Sequence, residues 1–227
     1  MKISEIFYSI QGEGRLAGVP SVFVRISGCP LRCRWCDTKY AWDGDTGTEY
    51  SIEQIIQQVC RYGCGFVVIT GGEPLLNPQL PELTRRLKAG KKHITIETAG
   101  VKFAAGIECD LMSISPKLSN SAPLEAAAAA RHRAECLNVA AIKGLIAAGD
   151  YQLKFVVDSP NDDIDEIEGV LGEIGGIDRG KVMLMAQGVT RAEILEKSPI
   201  VAQICTENGL VFSPRLHILL WDNEKGR

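Results

Sequence analysis

The chain has 227 residues, a formal charge of −3 and a sequence pI of about 5.7, with hydrophobic residues at 45% and a mean hydropathy of +0.03. That length supports a single domain with a substantial core, and the apolar content excludes a disordered chain. No basic block is present, which argues against nucleic acid as a partner; the apolar runs are too short to span a membrane, and residues 1–5 lack the core of a signal peptide, so a cytoplasmic protein is expected.

Residues 3–8 read as a short opening strand. Ser9-Ile10-Gln11-Gly12-Glu13-Gly14 follows, where glycines flanking an acid free the backbone to turn tightly or approach a ligand. Residues 22–27 form the first buried strand, with Val22, Val24 and Ile26 facing one way and Phe23, Arg25 and Ser27 the other. Directly after it, Cys29, Cys33 and Cys36 stand at the spacing Cys-x3-Cys-x2-Cys.

Ser51 caps a helix over 51–61, with Ile52, Ile55, Ile56 and Val59 on one face. Residues 66–70 are a continuous apolar run, the pattern of a strand buried on both sides, and Gly71-Gly72-Glu73-Pro74 breaks it. A helix over 79–88 carries Leu80, Leu83 and Leu87 as its stripe; strands follow over 93–97 and 110–115. The alanine-rich stretch 123–148 reads as one helix. Then come a strand over 152–157, an acidic helix over 162–172, a strand over 181–185 and a helix over 191–208 closed by Gly209. Pro199 is predicted to kink or interrupt that helix. Residues 210–220 are apolar and partly extended.

Strand and helix alternate about six times, which implies parallel strands joined by right-handed crossovers. A full eightfold barrel takes about 250 residues, so a partial, open (β/α)6-type barrel fits this length better; a doubly wound open sheet is the alternative. In either fold the ligand site lies at the carboxyl ends of the strands. The cysteine loop, Gly71-Gly72-Glu73-Pro74, Glu97-Thr98 and Ser115-Pro116-Lys117 all fall there.

Three clustered cysteines are one short of a closed tetrahedral zinc site, and one short of the usual electron-transfer 4Fe–4S cluster. Three thiolates on a cluster leave one iron open to a ligand. A zinc knuckle completed by a distant cysteine, or reduced structural thiols, are the other readings; His93, His132 and His217 are all remote in sequence. Cys60, Cys109, Cys136 and Cys205 are expected as buried thiols, and Cys60 with Cys64 makes only a weak pair.

The cysteine triad with Gly71-Gly72-Glu73-Pro74 downstream resembles the radical S-adenosylmethionine superfamily. Within it, residues 7–14, Arg25-Ile26-Ser27-Gly28-Cys29 and Cys36-Asp37-Thr38 resemble the 7-carboxy-7-deazaguanine synthase family, densely over 4–117 and weakly again at His217-Ile218-Leu219-Leu220-Trp221. The resemblance implies a 4Fe–4S cluster on Cys29, Cys33 and Cys36, with S-adenosylmethionine on the open iron. It implies cofactor contacts from Gly71, Gly72, Glu73, Glu97, Ser115 and Lys117, and Mg2+ on Thr38; Asp37 beside it is read as supporting that site from behind or as structural. The implied substrate is 6-carboxy-5,6,7,8-tetrahydropterin, bound by Gln11, Glu13, Arg25 and His217, and the implied reaction contracts its ring to 7-carboxy-7-deazaguanine with loss of ammonia, toward queuosine. Gln11 both donates and accepts, Glu13 accepts from amino groups, and Arg25 can fork a carboxylate. A homodimer and an electron donor such as flavodoxin are also implied.

Met185-Ala186-Gln187-Gly188 departs from the family pattern, so Gln187 is assigned no role, and residues 222–227 extend past the point where family members often end. A glycyl-radical activating enzyme shares the cysteine loop but tends to carry Gly-Pro-Gly where this chain has Gln11-Gly12-Glu13-Gly14. A metal-binding interaction module is the non-enzymatic alternative.

Overall fold

The computed structural model describes residues 1–226, the side chain of Asn161 apart. Nine strands among the described residues form one sheet: β1 (Lys2–Ile10), β2 (Pro20–Ile26), β3 (Thr48–Glu49), β4 (Phe66–Gly71), β5 (His93–Thr98), β6 (Leu111–Ile114), β7 (Tyr151–Val157), β8 (Val182–Ala186) and β9 (Val211–Phe212). Their order is β3-β1-β2-β4-β5-β6-β7-β8-β9. Every pair from β2 to β9 is parallel, while β1 runs antiparallel to both β2 and β3. The edges β3 and β9 do not pair, so the sheet is an open, partial barrel.

Period-two alternation sorts the strands into two faces. Val22, Val24 and Ile26 of β2, Val67 and Ile69 of β4, Leu153, Phe155 and Val157 of β7, and Val182, Leu184 and Ala186 of β8 enter one hydrophobic core. That core is closed by α1 (Ile52–Arg61), α2 (Leu80–Ala89), α4 (Val139–Ala148), α5 (Pro160–Ile174) and α6 (Arg191–Asn208) through residues such as Ile55, Leu83, Ile142, Ile167 and Val201. Each such side chain, fully buried, stabilises the fold by about 1.5–3 kcal/mol before entropy is counted. The other parity, including Phe23, Arg25, Thr70, Glu97, Ser113, Lys154 and Met185, faces a cavity.

Three expectations need correction. The stretch 123–148 is two helices, α3 (Ala126–Glu135) and α4, because the Asn138 side chain accepts from Ala141 N at 3.0 Å and starts a new helix. Pro199 does not interrupt α6, which runs unbroken from Arg191 to Asn208 and ends at Gly209 with φ 63°. The apolar C-terminal stretch is partly extended, as expected, at β9, and then forms α7 (Leu216–Trp221). Cys60, expected buried, is exposed, since it lies on α1 one step round from the buried Val59; Cys136 and Cys205 are buried and Cys109 is half-buried.

No helix among the described residues is long and apolar enough to cross a membrane.

Candidate active site

A cavity of about 460 Å3 opens at the carboxyl ends of the parallel strands. Its wall contains the three cysteines of the loop that leaves β2. That loop is pinned by backbone bonds: Cys29 N donates to Trp42 O at 3.0 Å, Arg34 N to Ser121 O at 3.0 Å and Cys36 N to Cys33 O at 3.1 Å. The buried His132 pins it from below. Arg32 N donates to His132 Nδ1 at 3.3 Å, so the imidazole proton sits on Nε2, 2.8 Å from Ser121 Oγ.

Burial pushes the Cys29 thiol up to about 12 and the Cys33 thiol up to about 11. Metal must displace those protons. Among the described residues no three His, Cys, Asp or Glu side chains converge on one ion. Three thiols on one cavity wall, each for a separate iron, fit a cluster with one iron left open.

The turn after β4 is locked to this loop. Gly72 N donates to Ile26 O at 2.8 Å and Glu73 N to Gly28 O at 2.7 Å. Gly71 has φ 134°, and a Cβ on it would meet Ile26 backbone atoms, with the carbonyl carbon at 2.9 Å.

Across the cavity lies a charged network. Lys154 Nζ donates to Glu13 Oε2 at 2.8 Å and to Glu97 Oε1 at 3.3 Å. Arg215 donates through Nε to Glu13 Oε1 at 2.9 Å, through Nη2 to Asp37 Oδ2 at 2.7 Å and through Nη1 to Gly188 O at 2.5 Å. Burial works to raise the Glu13 carboxyl, yet Lys154, Arg215 and His217 together hold it well below the usual carboxylate range. Burial likewise opposes the charge on Lys154, and Glu13 and Glu97 raise it nonetheless. The site thus keeps fixed charges in a low-dielectric wall.

Several comparisons with known proteins now bear on this geometry. The sequence model of the Radical SAM superfamily matches residues 23–132. A 7-carboxy-7-deazaguanine synthase of Halobacterium salinarum is 42% identical over 98% of this chain and 91% of its own. One of Rhodopirellula baltica is 40% identical over 99% and 88%. This chain belongs to the 7-carboxy-7-deazaguanine synthase family. It is a radical S-adenosylmethionine enzyme, and the family's cofactors are a 4Fe–4S cluster and S-adenosylmethionine. A crystal structure of QueE from Escherichia coli superposes with a TM-score of 0.71 at 25% identity, covering 95% of this chain and 94% of that one.

Within this 7-carboxy-7-deazaguanine synthase fold, the cavity brings together Gln11, Glu13, Arg25, Cys29, Cys33, Cys36, Thr38, Gly71, Gly72, Glu97, Ser115, Lys117 and His217. Thr38 Oγ1 lies 3.6 Å from Cys36 Sγ, and Lys117 Nζ donates to Ser115 Oγ at 2.8 Å. Gln11 Nε2 donates to Glu97 Oε1 at 3.2 Å. Arg25 donates through Nε to Glu5 Oε1 at 2.7 Å and lies over Phe7, which stacks on Phe23 at 4.9 Å. His217 packs its ring against Gly12, where no Cβ would fit. Burial lowers the affinity of His217 for a proton, with Glu13 opposing and Arg215 adding.

Glu73 is the exception: its carboxylate does not reach the cavity. It is 1% exposed and accepts from Thr98 Oγ1 at 2.6 Å, Ala99 N at 2.8 Å and Leu75 N at 3.1 Å. Burial outweighs these donors and pushes it up. Glu73 therefore ties the end of β5 to the turn after β4. Asp37 also lines the cavity, and its Oδ2 accepts from Arg215 Nη2.

Sequence reasoning missed Lys154 and Arg215. Lys154 carried a readable signal, a lone cation in an apolar strand with the same parity logic that singled out Arg25. Arg215 carried none, since its partners Glu13 and Asp37 lie 202 and 178 residues away. Of the departing stretch, Met185 lines the cavity, while Gln187 turns to Lys197 Nζ at 2.8 Å. Asn223, Glu224, Lys225 and Gly226 also line the cavity, with Lys225 Nζ 4.4 Å from the Tyr40 ring centroid; Arg227 lies outside the described residues.

Proposed function

We propose that this protein converts 6-carboxy-5,6,7,8-tetrahydropterin to 7-carboxy-7-deazaguanine with loss of ammonia, on the route to queuosine and related deazapurines. The observation that carries this reading is one cavity joining an under-ligating cysteine loop to a buried carboxylate–cation network. Relatives across 98–99% of the chain bear the name of that activity.

Cys29, Cys33 and Cys36 would hold the cluster and leave one iron for S-adenosylmethionine. When bound, these groups supply the electron and the hydrogen abstraction that start the chemistry. The chain's own residues do the rest. The Gly71–Gly72 backbone, Glu97, Ser115 and Lys117 would hold S-adenosylmethionine, Glu97 accepting from ribose hydroxyls; Glu73 contributes by holding that turn in place. Glu13 stays ionised and would accept from the amino and ring N–H groups of the pterin, beside the amide of Gln11. The stacked Phe7 and Phe23 offer a flat apolar wall for its ring. With Nε engaged by Glu5, Arg25 would offer its Nη edge to the substrate carboxylate. His217 remains neutral near pH 7 and can donate or accept. Thr38 would supply one hard oxygen to Mg2+, which takes few protein ligands.

The whole chain would act as one domain, in the cytoplasm, as a homodimer reduced by a donor such as flavodoxin. The test is anaerobic turnover of iron-reconstituted protein with S-adenosylmethionine, Mg2+, reductant and the pterin. Carboxydeazaguanine is the expected product; its absence with cluster and S-adenosylmethionine bound defeats the assignment.

A further inference from the structure

Lys154 sits mid-strand in β7 and is 3% exposed, between core residues Leu153 and Phe155. Its ammonium reaches the cavity and holds two carboxylates from separate parts of the chain, Glu13 after β1 and Glu97 near the end of β5. Stability does not account for this arrangement, because a buried ion triad costs several kcal/mol to desolvate and an apolar side chain is often as stabilising. The two carboxylates matter for another reason. If the proposed reaction is right, Glu13 faces the pterin and Glu97 faces the ribose, so one ammonium joins the substrate side to the cofactor side.

We propose that Lys154 is a positioning residue that couples the two ligand sites. A ligand that donates to Glu97 fixes that carboxylate, and with it the ammonium it shares. The ammonium then narrows the remaining play of Glu13, 2.8 Å away and already held through its other oxygen by Arg215. The second ligand meets a carboxylate already ordered and loses less entropy on binding. Gln11, which donates to Glu97, adds a second link between the same two sides. Coupling of this kind is reciprocal: the factor by which S-adenosylmethionine strengthens pterin binding must equal the factor by which the pterin strengthens S-adenosylmethionine binding.

The test is calorimetric titration of the anaerobic holoenzyme with its cluster left oxidised, so that both ligands bind without turnover. S-adenosylmethionine is titrated with and without 6-carboxytetrahydropterin, then the order is reversed. In the wild type each ligand should strengthen the other by about tenfold. Lys154→Met keeps the buried stem and removes the charge, and coupling should fall below about threefold. Should that variant not fold, Lys154→Arg takes its place: it keeps the charge but spreads it over a planar fork that cannot sit as a point between both carboxylates, and coupling should again drop. Independent binding in the wild type, or undiminished coupling in the variant that folds, overturns the role of Lys154 and leaves the proposed reaction standing. A wild type that binds S-adenosylmethionine but not the pterin overturns the reaction itself, and this inference with it.

Discussion

The amide of Glu73 donates to the carbonyl of Gly28 at 2.7 Å, and a Cβ on the neighbouring Gly72 would overlap that same oxygen and approach Cys29 N to 2.9 Å. The turn after β4 and the start of the cysteine loop are therefore one backbone unit. The protein's own cysteine loop thus requires glycine at 72, apart from the cofactor contact that the resemblance implies for it. Gly72→Ala should push Cys29 out of position, lowering the iron bound per protein by about half or more and costing about 1–3 kcal/mol from overpacking. Iron and sulfide analysis after anaerobic reconstitution checks this, and normal iron content would show that the loop can give way.

Arg215 serves Glu13, Asp37 and Gly188 O with three different nitrogens of one planar group. A lysine has one nitrogen and cannot reproduce that fork. Arg215→Lys should lower kcat/KM for the pterin by about 30-fold or more, about 2 kcal/mol of lost binding or transition-state stabilisation. S-adenosylmethionine affinity measured without the pterin should change by less than about threefold, because none of the partners of Arg215, namely Glu13, Asp37 and Gly188, is assigned to that cofactor. Arg215→Met leaves two carboxylates facing less positive charge and should cost about 3–5 kcal/mol of stability. Steady-state kinetics alongside denaturant unfolding separates the two effects.

Much of this architecture was legible because it depends on local periodicity. The parity of residues 22–27 places Arg25 opposite the core face, and the cysteine spacing picks out the loop that lines the cavity. The capping box of α1, Ser51 with Gln54, also matches its sequence signal. What was hidden is long-range or masked by composition. Alanine propensity across 126–130 concealed the break at Asn138, although an asparagine before an apolar run is itself a cap signal. The two-residue β3 is too short to show alternation. Glu73 looked like part of a cofactor turn because the sequence says where the backbone turns and not which way a carboxylate points. Its partners Thr98 and Ala99 come from the adjacent strand end, 25 and 26 residues on.

His132, read from sequence only as a remote histidine, supports the cysteine loop by accepting from Arg32 N. Removing the buried ring leaves the part-buried Arg32 N–H without its protein acceptor and Ser121 Oγ without its partner. His132→Ala should cost about 1–3 kcal/mol. His132→Asn can place Oδ1 near the position of Nδ1 and should recover part of that loss. Denaturant midpoints of both variants, with the iron content of each, provide the check: equal losses in the two would mean that the acceptor is not what matters.

His217 supplies the pH dependence. Burial, the largest influence, lowers its folded-state proton affinity, and the unfolded chain returns it to about 6.5. The unfolded state therefore binds the proton more readily. Stability contributed by the neutral ring is complete above about pH 6.5 and is lost as pH falls below it, by at most about 1.4 kcal/mol per pH unit. His217→Asn cannot titrate. The stability of wild type relative to His217→Asn should hold steady between about pH 7 and 8 and decline between about pH 6.5 and 5.5. Anaerobic denaturant unfolding across that range measures it; a wild-type advantage that grew as the pH fell would mean the ring is protonated in the folded protein, with Glu13 outweighing burial.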